Sequence, residues 1–206
     1  MTGPPPAPAV TRALADSAPD WTVLRQLNSG CTACDLSRGR TQVVFSAGDA
    51  PADVMFVGEA PGAEEDLRGV PFVGRSGQLL DRLLAQTGIE RSQVVIANVL
   101  KCRPPANRDP LPEEVETCRW WLRRQVQLVD PAVICTLGSF ATRWALGKQA
   151  RITRDRGRRF TVSGRTVVPT FHPSAALRSG PNGPQSQALR ADIEQLARII
   201  AEVRGA

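Results

Sequence analysis

Four short apolar runs separated by helical patterns are the feature that most constrains the fold of this chain. The runs are rich in β-branched residues and bounded by turn residues, as buried strands are. They are DVMFVG (53–58), QVVIANV (93–99), AVICTLG (132–138) and RTVVPTFH (165–172). Strands that alternate with helices form a parallel sheet covered on both faces. The sequence therefore predicts an α/β fold with three α/β/α layers and a central, mostly parallel four-stranded sheet.

The segments between and after these runs have the periodicity of amphipathic helices. SGQLLDRLLAQTG (76–88) places its leucines on one helical face and ends in a glycine suited to a helix end. LPEEVETCRWWLRRQVQLV (111–129) begins with a proline and two glutamates, which favour a helix start. SFATRWALG (139–147) and QSQALRADIEQLARIIAEV (185–203) complete the predicted helices.

The chain is expected to form one domain over residues 20–206, after a disordered tail at residues 1–19 that is rich in proline and alanine. No apolar run is long enough to span a membrane, and the tail has no signal-peptide core. We therefore expect a cytoplasmic, nucleoid-associated monomer whose five cysteines stay reduced. The net charge of +6 suits a polyanionic partner, although a solvated arginine-rich surface explains it equally well.

Polar residues follow three of the predicted strands at the point where each strand ends. Glu59 follows the first strand, Asn98 ends the second, and His172, the single histidine, ends the last. Ligands of parallel sheets bind outside the carboxyl ends of the strands. The sequence therefore predicts that these three side chains converge on one rim, although a single histidine is more often a satisfied core residue.

Two glycine-rich segments near the first strand have the composition of ligand-binding loops. In VGEAPGAEED (57–66), Gly58 and Gly62 allow the backbone to approach a ligand, although a plain strand-to-helix turn has the same composition. The spacing is neither that of a dinucleotide-binding fingerprint nor that of a P-loop. In GVPFVGRSG (69–77), Phe72 is either a stacking platform for a planar ligand or a core residue.

The cysteines are spaced as metal ligands are. Cys31 and Cys34 form a C-x2-C pair, and Cys102 and Cys118 form a C-x15-C pair. A C-x2-C pair alone is redox-active or zinc-binding, and a four-thiolate site suits structural zinc or an iron–sulfur cluster. The wide second spacing favours a cluster held between distant segments. Cys135 lies inside a strand and is interpreted as a small apolar core residue.

Taken together, these motifs resemble the family 4 uracil-DNA glycosylases of the uracil-DNA glycosylase superfamily. The resemblance rests on GEAPG (58–62), PFVGRSGQLL (71–80), NVLKCRPPANRDPLP (98–112), HPS (172–174) and the four cysteines of the two pairs. It runs from about Trp21 to the last helix. It implies an α/β/α fold, uracil-containing DNA as the partner, a structural [4Fe–4S] cluster, and hydrolysis of the deoxyuridine N-glycosidic bond to leave an abasic site. The implied cluster ligands are Cys31, Cys34, Cys102 and Cys118.

The resemblance also implies a role for each matching residue. Phe72 stacks on the flipped uracil, Asn98 pairs with its O4 and N3–H, and His172 donates to its O2. Glu59 positions or activates water, and backbone N–H groups of the turn at Gly58, Glu59 and Ala60 hold the ring. Glu65 is a candidate for a second carboxylate of the site. Candidates for DNA contacts are Arg154, Arg156, Arg158, Arg159, Arg178 and, as a wedge, Leu177.

Three other interpretations stay open at this point. The first is a DNA- or base-binding iron–sulfur module of the same fold without catalysis, which would need neither Glu59 nor His172. The second is a zinc-stabilised enzyme acting on another small planar substrate. The third is a basic α/β protein with a redox C-x2-C pair, which leaves Cys102 and Cys118 unexplained. A branch of the superfamily that bonds covalently to DNA uses a histidine in a loop where this chain has RPPANRDP (103–110), without histidine.

Overall fold

The computed structural model describes residues 8–205 and contains a five-stranded sheet in the order β2-β1-β3-β5-β4. The strands are β1 (Val54–Gly58), β2 (Val94–Asn98), β3 (Val133–Leu137), β4 (Phe160–Val162) and β5 (Arg165–Thr170). All neighbours pair in parallel except β4, which is antiparallel to β5. The mostly parallel sheet is confirmed, and each predicted run contains one strand.

The predicted count of four strands was wrong because β4 was missed. This edge strand has three residues, Phe160–Val162, none of them fully buried. It is joined to β5 by a tight turn in which Ser163 and Gly164 both have positive φ, of 50° and 79°. A strand this short and exposed has no apolar run to mark it, so the periodicity that revealed the other strands could not reveal this one.

Helices cover both faces of the sheet. They are α1 (Pro8–Asp16), α2 (Trp21–Ser29), α3 (Leu36–Gly39), α4 (Ala63–Arg68), α5 (Arg75–Gln86), α6 (Pro112–Val129), α7 (Ser139–Leu146), α8 (Ile152–Asp155), α9 (Pro173–Ser179) and α10 (Pro184–Arg204). Short 3-10 turns lie at Arg91–Gln93 and Pro105–Asn107. Within the described residues, no helix is long and apolar enough to cross a membrane.

Alternate residues of each strand point into two separate hydrophobic cores. Met55 and Val57 of β1 pack with α1, α2, α6 and α7 on one face, whereas Val54 and Phe56 pack with α5, α9 and α10 on the other. The side chains of β1, β2 and β3 are buried on both faces, as expected for central parallel strands. The three-layer arrangement is therefore confirmed.

The expectation of a disordered tail over residues 1–19 was wrong for the part that the structure describes. Helix α1 begins at Pro8, and proline is favoured in the first turn of a helix because its missing N–H has no partner there. Ala15 and Ala18 are fully buried in the core that includes α6, and Arg124 of α6 donates two hydrogen bonds to the Ala18 carbonyl. Small alanine side chains allow this close packing. Residues 1–7 lie outside the described residues.

Candidate active site

A cavity of about 840 Å³ opens at the carboxyl ends of the parallel strands, where the predicted polar residues meet. Gly58 of β1 is in register with Asn98 of β2, so the two strands end side by side. His172 follows β5 on the same rim. The residues most relevant to chemistry that line the cavity are Glu59, Ala60, Phe72, Asn98, Asp109, His172 and Arg178. The predicted convergence of Glu59, Asn98 and His172 is confirmed.

Asn98 presents an unsatisfied amide oxygen at this cavity. The residue is 1% exposed, and its Oδ1 has no hydrogen-bond partner among the described residues. A buried polar atom without a partner costs roughly 1–3 kcal/mol, so it is retained where a ligand satisfies it. Gly58 makes room for the amide, since a β-carbon there would lie 2.4 Å from Oδ1. The site therefore offers an acceptor that only a ligand with a donor can satisfy.

Phe72 belongs both to the core and to the wall of the cavity, so the two interpretations of this residue are compatible. It is 5% exposed, and its ring lies 5.6 Å from the His172 ring, centroid to centroid, at an interplanar angle of 39°. Its φ of 55° is unusual for a bulky residue. Gly77 allows this backbone path, because a β-carbon there would overlap the Phe72 carbonyl oxygen at 1.7 Å.

The imidazole of His172 is fixed in one tautomer by the start of α9. Its Nδ1 accepts a hydrogen bond from the Ser174 backbone N–H at 3.1 Å and lies 2.9 Å from the Ser174 hydroxyl oxygen. Because Nδ1 accepts, the ring proton of the neutral form is on Nε2. The pKa of His172 is lowered to about 4, chiefly by burial and also by the nearby positive charge of Arg178, whereas the Glu65 carboxylate opposes the fall. At neutral pH the residue is therefore a neutral Nε2–H donor.

The carboxyl group of Glu59 has a pKa close to neutral pH. The pKa of Glu59 is raised to about 7, chiefly by burial and also by the neighbouring carboxylate of Asp109, whereas Arg178 opposes the rise. No residue in the described part of the chain forms an ion pair or hydrogen bond with the Glu59 carboxylate. A half-buried carboxylate with a pKa close to the working pH has the properties of a general base.

Glu65 serves a different purpose from Glu59. One oxygen accepts from the Gly62 N–H at 3.1 Å, and the other accepts from the Val73 and Gly74 N–H groups at 3.1 and 2.9 Å. The carboxylate thus joins the turn after β1 to the loop that holds Phe72. Since both oxygens are engaged by backbone donors, the contacts of Glu65 are those of a structural clamp and not those of a second catalytic carboxylate.

Most of the arginines predicted to contact DNA have partners within the protein. Arg156 forms a bidentate ion pair with Asp192, with N···O distances of 2.6 and 2.9 Å, and Arg154 forms an ion pair with Asp155. Arg159 pairs with Glu202, and Arg158 lies 3.8 Å from Asp155. Arg178, in contrast, is exposed and lines the cavity. Leu177 is half-buried on α9.

The four cysteines of the two pairs line one small pocket beneath the loop between β2 and α6. Cys102 and Cys118 are buried, and Cys31 and Cys34 are half-buried. Arg40 donates to the Cys102 sulfur at 3.1 Å and to the Cys31 carbonyl at 2.6 Å, and the Lys101 N–H lies 3.3 Å from the Cys118 sulfur. Cys135 is buried in β3 and does not line this pocket.

The chemistry of the pocket suits a thiolate-bound group. Burial raises the pKa of Cys102 to about 11 and also raises that of Cys118, so metal coordination would be needed to deprotonate them at neutral pH. Asn28 also lines the pocket with 0% exposure, and neither its Oδ1 nor its Nδ2 has a hydrogen-bond partner in the part of the chain that the structure describes. Among residues 8–205, no group of three or more histidine, cysteine, aspartate or glutamate side chains is arranged around a single metal ion.

The sequence alone did not reveal several residues that shape these two sites. Asp109 lines the cavity and acts on the Glu59 pKa, yet it lies in a loop with no regular pattern. Ser174 was visible in the HPS triplet, and a serine two residues after a residue at a helix start is a usable signal. Asn28, Arg40 and Lys101 lie in different segments, and only the folded chain brings them to the cysteine pocket.

The chain is similar in sequence to known proteins over most of its length. Residues 45–200 match the model of the uracil DNA glycosylase superfamily. The chain is 46% identical over 172 residues to the type-4 uracil-DNA glycosylase of Thermotoga maritima, covering 82% of this chain and 89% of that protein. It is 44% identical over 191 residues to the type-4 enzyme of Archaeoglobus fulgidus, covering 89% and 92% of the two chains. A type-4 enzyme of Sulfurisphaera tokodaii is 43% identical over 156 residues, 71% of each chain. The chain therefore belongs to the type-4 uracil-DNA glycosylase family of the uracil DNA glycosylase superfamily.

Proposed function

We propose that this chain is a uracil-DNA glycosylase that flips deoxyuridine out of DNA and hydrolyses its N-glycosidic bond, releasing uracil and leaving an abasic site. The observation that carries this proposal is the unpartnered Asn98 amide oxygen at the floor of the cavity. A glycosylase cannot reach its bond inside the duplex, so it needs a pocket that accepts an extruded base. The cavity at the strand ends has room for a nucleotide.

Base recognition follows from the donors and acceptors of the pocket. The Asn98 oxygen accepts from uracil N3–H, and its amide nitrogen donates to O4. Cytosine presents a donor at position 4 and an unprotonated N3, so it mismatches both groups. A site whose buried polar groups would stay unpaired rejects such an analogue strongly. Phe72 stacks on the base, and backbone N–H groups of Gly58, Glu59 and Ala60 border it.

His172 stabilises the charge that develops on the departing base. Its Nε2–H points to uracil O2 in this assignment, and the Ser174 contacts keep the donor tautomer in place. As the bond to the sugar breaks, negative charge accumulates on the uracil ring, and a fixed donor is worth most at that moment. A neutral donor also agrees with the lowered pKa of His172.

Glu59 completes the reaction on the sugar side. Its carboxylate accepts a proton from the attacking water and lies near the oxocarbenium-like sugar, whose positive charge it stabilises. The pKa of about 7 means that much of the enzyme carries the charged form at neutral pH. Arg178, exposed at the mouth of the cavity, is placed to contact a phosphate of the flipped nucleotide.

The cysteine pocket is proposed to hold a [4Fe–4S] cluster through Cys31, Cys34, Cys102 and Cys118. When bound, the cluster would cross-link the segment before β1 to the loop that follows β2 and to α6. The four thiols of one pocket and the free amide of Asn28, a potential donor to a sulfur atom, support this choice. We also propose that the enzyme acts as a monomer, because every group assigned to the reaction belongs to one chain.

The proposal is tested with an end-labelled oligonucleotide that carries one central uracil, followed by alkali to cleave abasic sites. The purified chain should cause scission at the uracil and none in a matched oligonucleotide with cytosine. Glu59→Ala and His172→Ala should each lose most of the activity, whereas Glu194→Ala, an exposed carboxylate on α10, should not. Binding to uracil-containing DNA without scission by a folded wild-type sample would favour a non-catalytic module.

A visible spectrum of the same sample tests the cofactor. A broad absorption band at about 400 nm is the expected signature of thiolate-bound iron. If the active protein is instead colourless and contains one equivalent of zinc, the four cysteines hold zinc and not an iron–sulfur cluster.

A further inference from the structure

Lys101 is a lysine in the protein interior, where a charged side chain has an unfavourable desolvation free energy. It is 1% exposed and lies between Leu100 and Cys102 in the loop after β2. Burying an ammonium group costs several kcal/mol unless an anion and hydrogen-bond acceptors compensate it. None of the ion pairs in the described residues involves Lys101, so no carboxylate compensates its charge there. A counter-charge for the Lys101 ammonium can therefore come only from a group other than these carboxylates.

The hydrogen bonds of Lys101 connect the cysteine pocket to the base-recognition residue. Its Nζ donates to the Asn98 backbone carbonyl at 2.7 Å and to the Gln125 side-chain oxygen on α6. Gln125, itself 0% exposed, is fixed by a 3.0 Å hydrogen bond to the Phe45 carbonyl. The backbone N–H of Lys101 meanwhile faces the Cys118 sulfur at 3.3 Å, and the residue lines the cysteine pocket.

The segment that Lys101 holds also supports the catalytic carboxylate. The Val99 N–H donates to the Gly58 carbonyl and the Leu100 N–H donates to the Glu59 carbonyl, both at 3.0 Å. Residues 98–101 are therefore fixed on one side to the turn that contains Glu59 and on the other to the cysteines. A shift of the Lys101 ammonium would move the end of β2, where Asn98 and Gly58 lie in register.

We propose that Lys101 is a positioning residue whose buried ammonium, compensated by the metal-bound thiolates of Cys102 and Cys118, holds the end of β2 so that Asn98 faces the uracil. This inference rests on the proposed function and on the proposed cluster. In this arrangement the cluster does more than cross-link the chain. The negative charge of its thiolates holds the Lys101 ammonium in place, and the ammonium in turn holds Asn98. Lys101 itself touches neither the substrate nor the reacting atoms.

The test compares Lys101→Met, which keeps the length of the side chain and removes its charge, with Lys148→Met, the same change at an exposed lysine. Free uracil is the binding probe, measured by calorimetry on cluster-containing protein. We expect the Kd of uracil to rise about tenfold in Lys101→Met, which corresponds to about 1.4 kcal/mol, and to stay unchanged in Lys148→Met. The reduction potential of the cluster should become more negative in Lys101→Met alone, because a nearby positive charge is lost.

The outcomes separate this inference from the function on which it rests. If wild type does not release uracil from DNA, the proposed function fails first. If wild type is active and Lys101→Met keeps both its uracil affinity and the reduction potential of its cluster, Lys101 only stabilises the fold and the inference is wrong.

If Lys101→Met does not fold, Lys101→Arg replaces it, because arginine keeps the charge but not the placement of the donor. Weakened uracil binding at an unchanged potential then supports the inference, and wild-type uracil affinity overturns it.

Discussion

Gly58 and Asn98 lie in register on neighbouring parallel strands, so close that a β-carbon on Gly58 would come 2.4 Å from the Asn98 amide oxygen. The same β-carbon would lie 2.6 Å from Cζ of Phe72. Both neighbours are buried, at 1% and 5% exposure, and cannot withdraw into solvent. The absence of a side chain at position 58 is therefore what lets the amide and the aromatic ring approach the same ligand.

Gly58→Ala should displace both recognition side chains while leaving the rest of the fold in place. A misplacement of about 1 Å at a binding group costs roughly a hundredfold in rate. We expect uracil excision to fall by about that factor and the free energy of unfolding to fall by about 1–3 kcal/mol from overpacking. Single-turnover excision and urea denaturation measure the two effects.

Gly39→Ala is the matched control for this substitution. A β-carbon on Gly39, at the end of α3, would meet no atom within 4 Å. Its excision rate should equal that of wild type. An unchanged rate in Gly58→Ala would contradict the assignment of this corner of the cavity as the uracil site.

Asp109→Asn should move the acid limb of the pH–rate profile to lower pH. Glu59 must be ionised to act as a base, so excision should rise with pH around the Glu59 pKa of about 7. The Asp109 carboxylate raises this pKa by repulsion, so its removal lowers the pKa and the ionised form appears at lower pH. His172 has a pKa of about 4 and should add no limb near neutrality.

The pH–rate profile is measured by single-turnover excision between pH 5 and pH 9. The control is Asp16→Asn, at the end of α1 and far from Glu59 and Asp109 in the sequence. Asp16 is half-exposed, and within residues 8–205 its one ion pair is with Arg12, at 3.3 Å. Its profile should superimpose on that of wild type. An acid limb that does not move in Asp109→Asn would mean that a group other than Glu59 controls the rate.

The parts of this fold that the sequence predicted are those marked by continuous burial. The residues of β1, β2 and β3 are buried throughout, so each appears in the sequence as an unbroken apolar run. The rim of Glu59, Asn98 and His172 followed from the strand ends alone. Helix α1 was missed because its alanines resemble those of a disordered tail, and only packing against α6 distinguishes them.

The residues that were missed act through contacts between distant segments. Asp109 affects Glu59 although fifty positions separate them in the chain, and Lys101 meets Gln125 of α6. Glu65 was predicted as a second carboxylate of the site, and nothing in the sequence around it showed that three backbone N–H groups surround it. Such contacts depend on the relative placement of loops, which periodicity and turn composition do not encode.

Cys102→Ser should remove the visible absorption of the purified protein and lower its melting temperature. Cys102 is buried in the cysteine pocket, and loss of one of four ligands prevents stable binding of the proposed cluster. The control is Cys135→Ala, a cysteine that is also buried but lies outside the pocket. It should keep the full absorption and lose only about 1 kcal/mol of stability, the cost of a small cavity. Equal loss of absorption in both variants would mean that protein folding, not ligation, controls cluster content.

Glu65→Gln should loosen the loop that holds Phe72 without changing any group that touches the base. The Glu65 carboxylate accepts from three backbone N–H groups, and an amide can present only one oxygen to them. One N–H would then face an NH₂ group and lose its partner. We expect the free energy of unfolding to fall by about 1–3 kcal/mol and the KM for uracil-containing DNA to rise.

Glu116→Gln is the control, since Glu116 is exposed outside the cavity and makes a surface ion pair with Arg119 at 3.0 Å. Its unfolding free energy should change by less than about 0.5 kcal/mol, because exposed ion pairs contribute little. Denaturation in urea and steady-state kinetics on both variants separate the two possible roles of Glu65. A clamp that positions Phe72 raises KM and lowers stability together. If Glu65 were a catalytic carboxylate, the substitution would instead lower kcat at unchanged stability, and that result would assign Glu65 a role in catalysis.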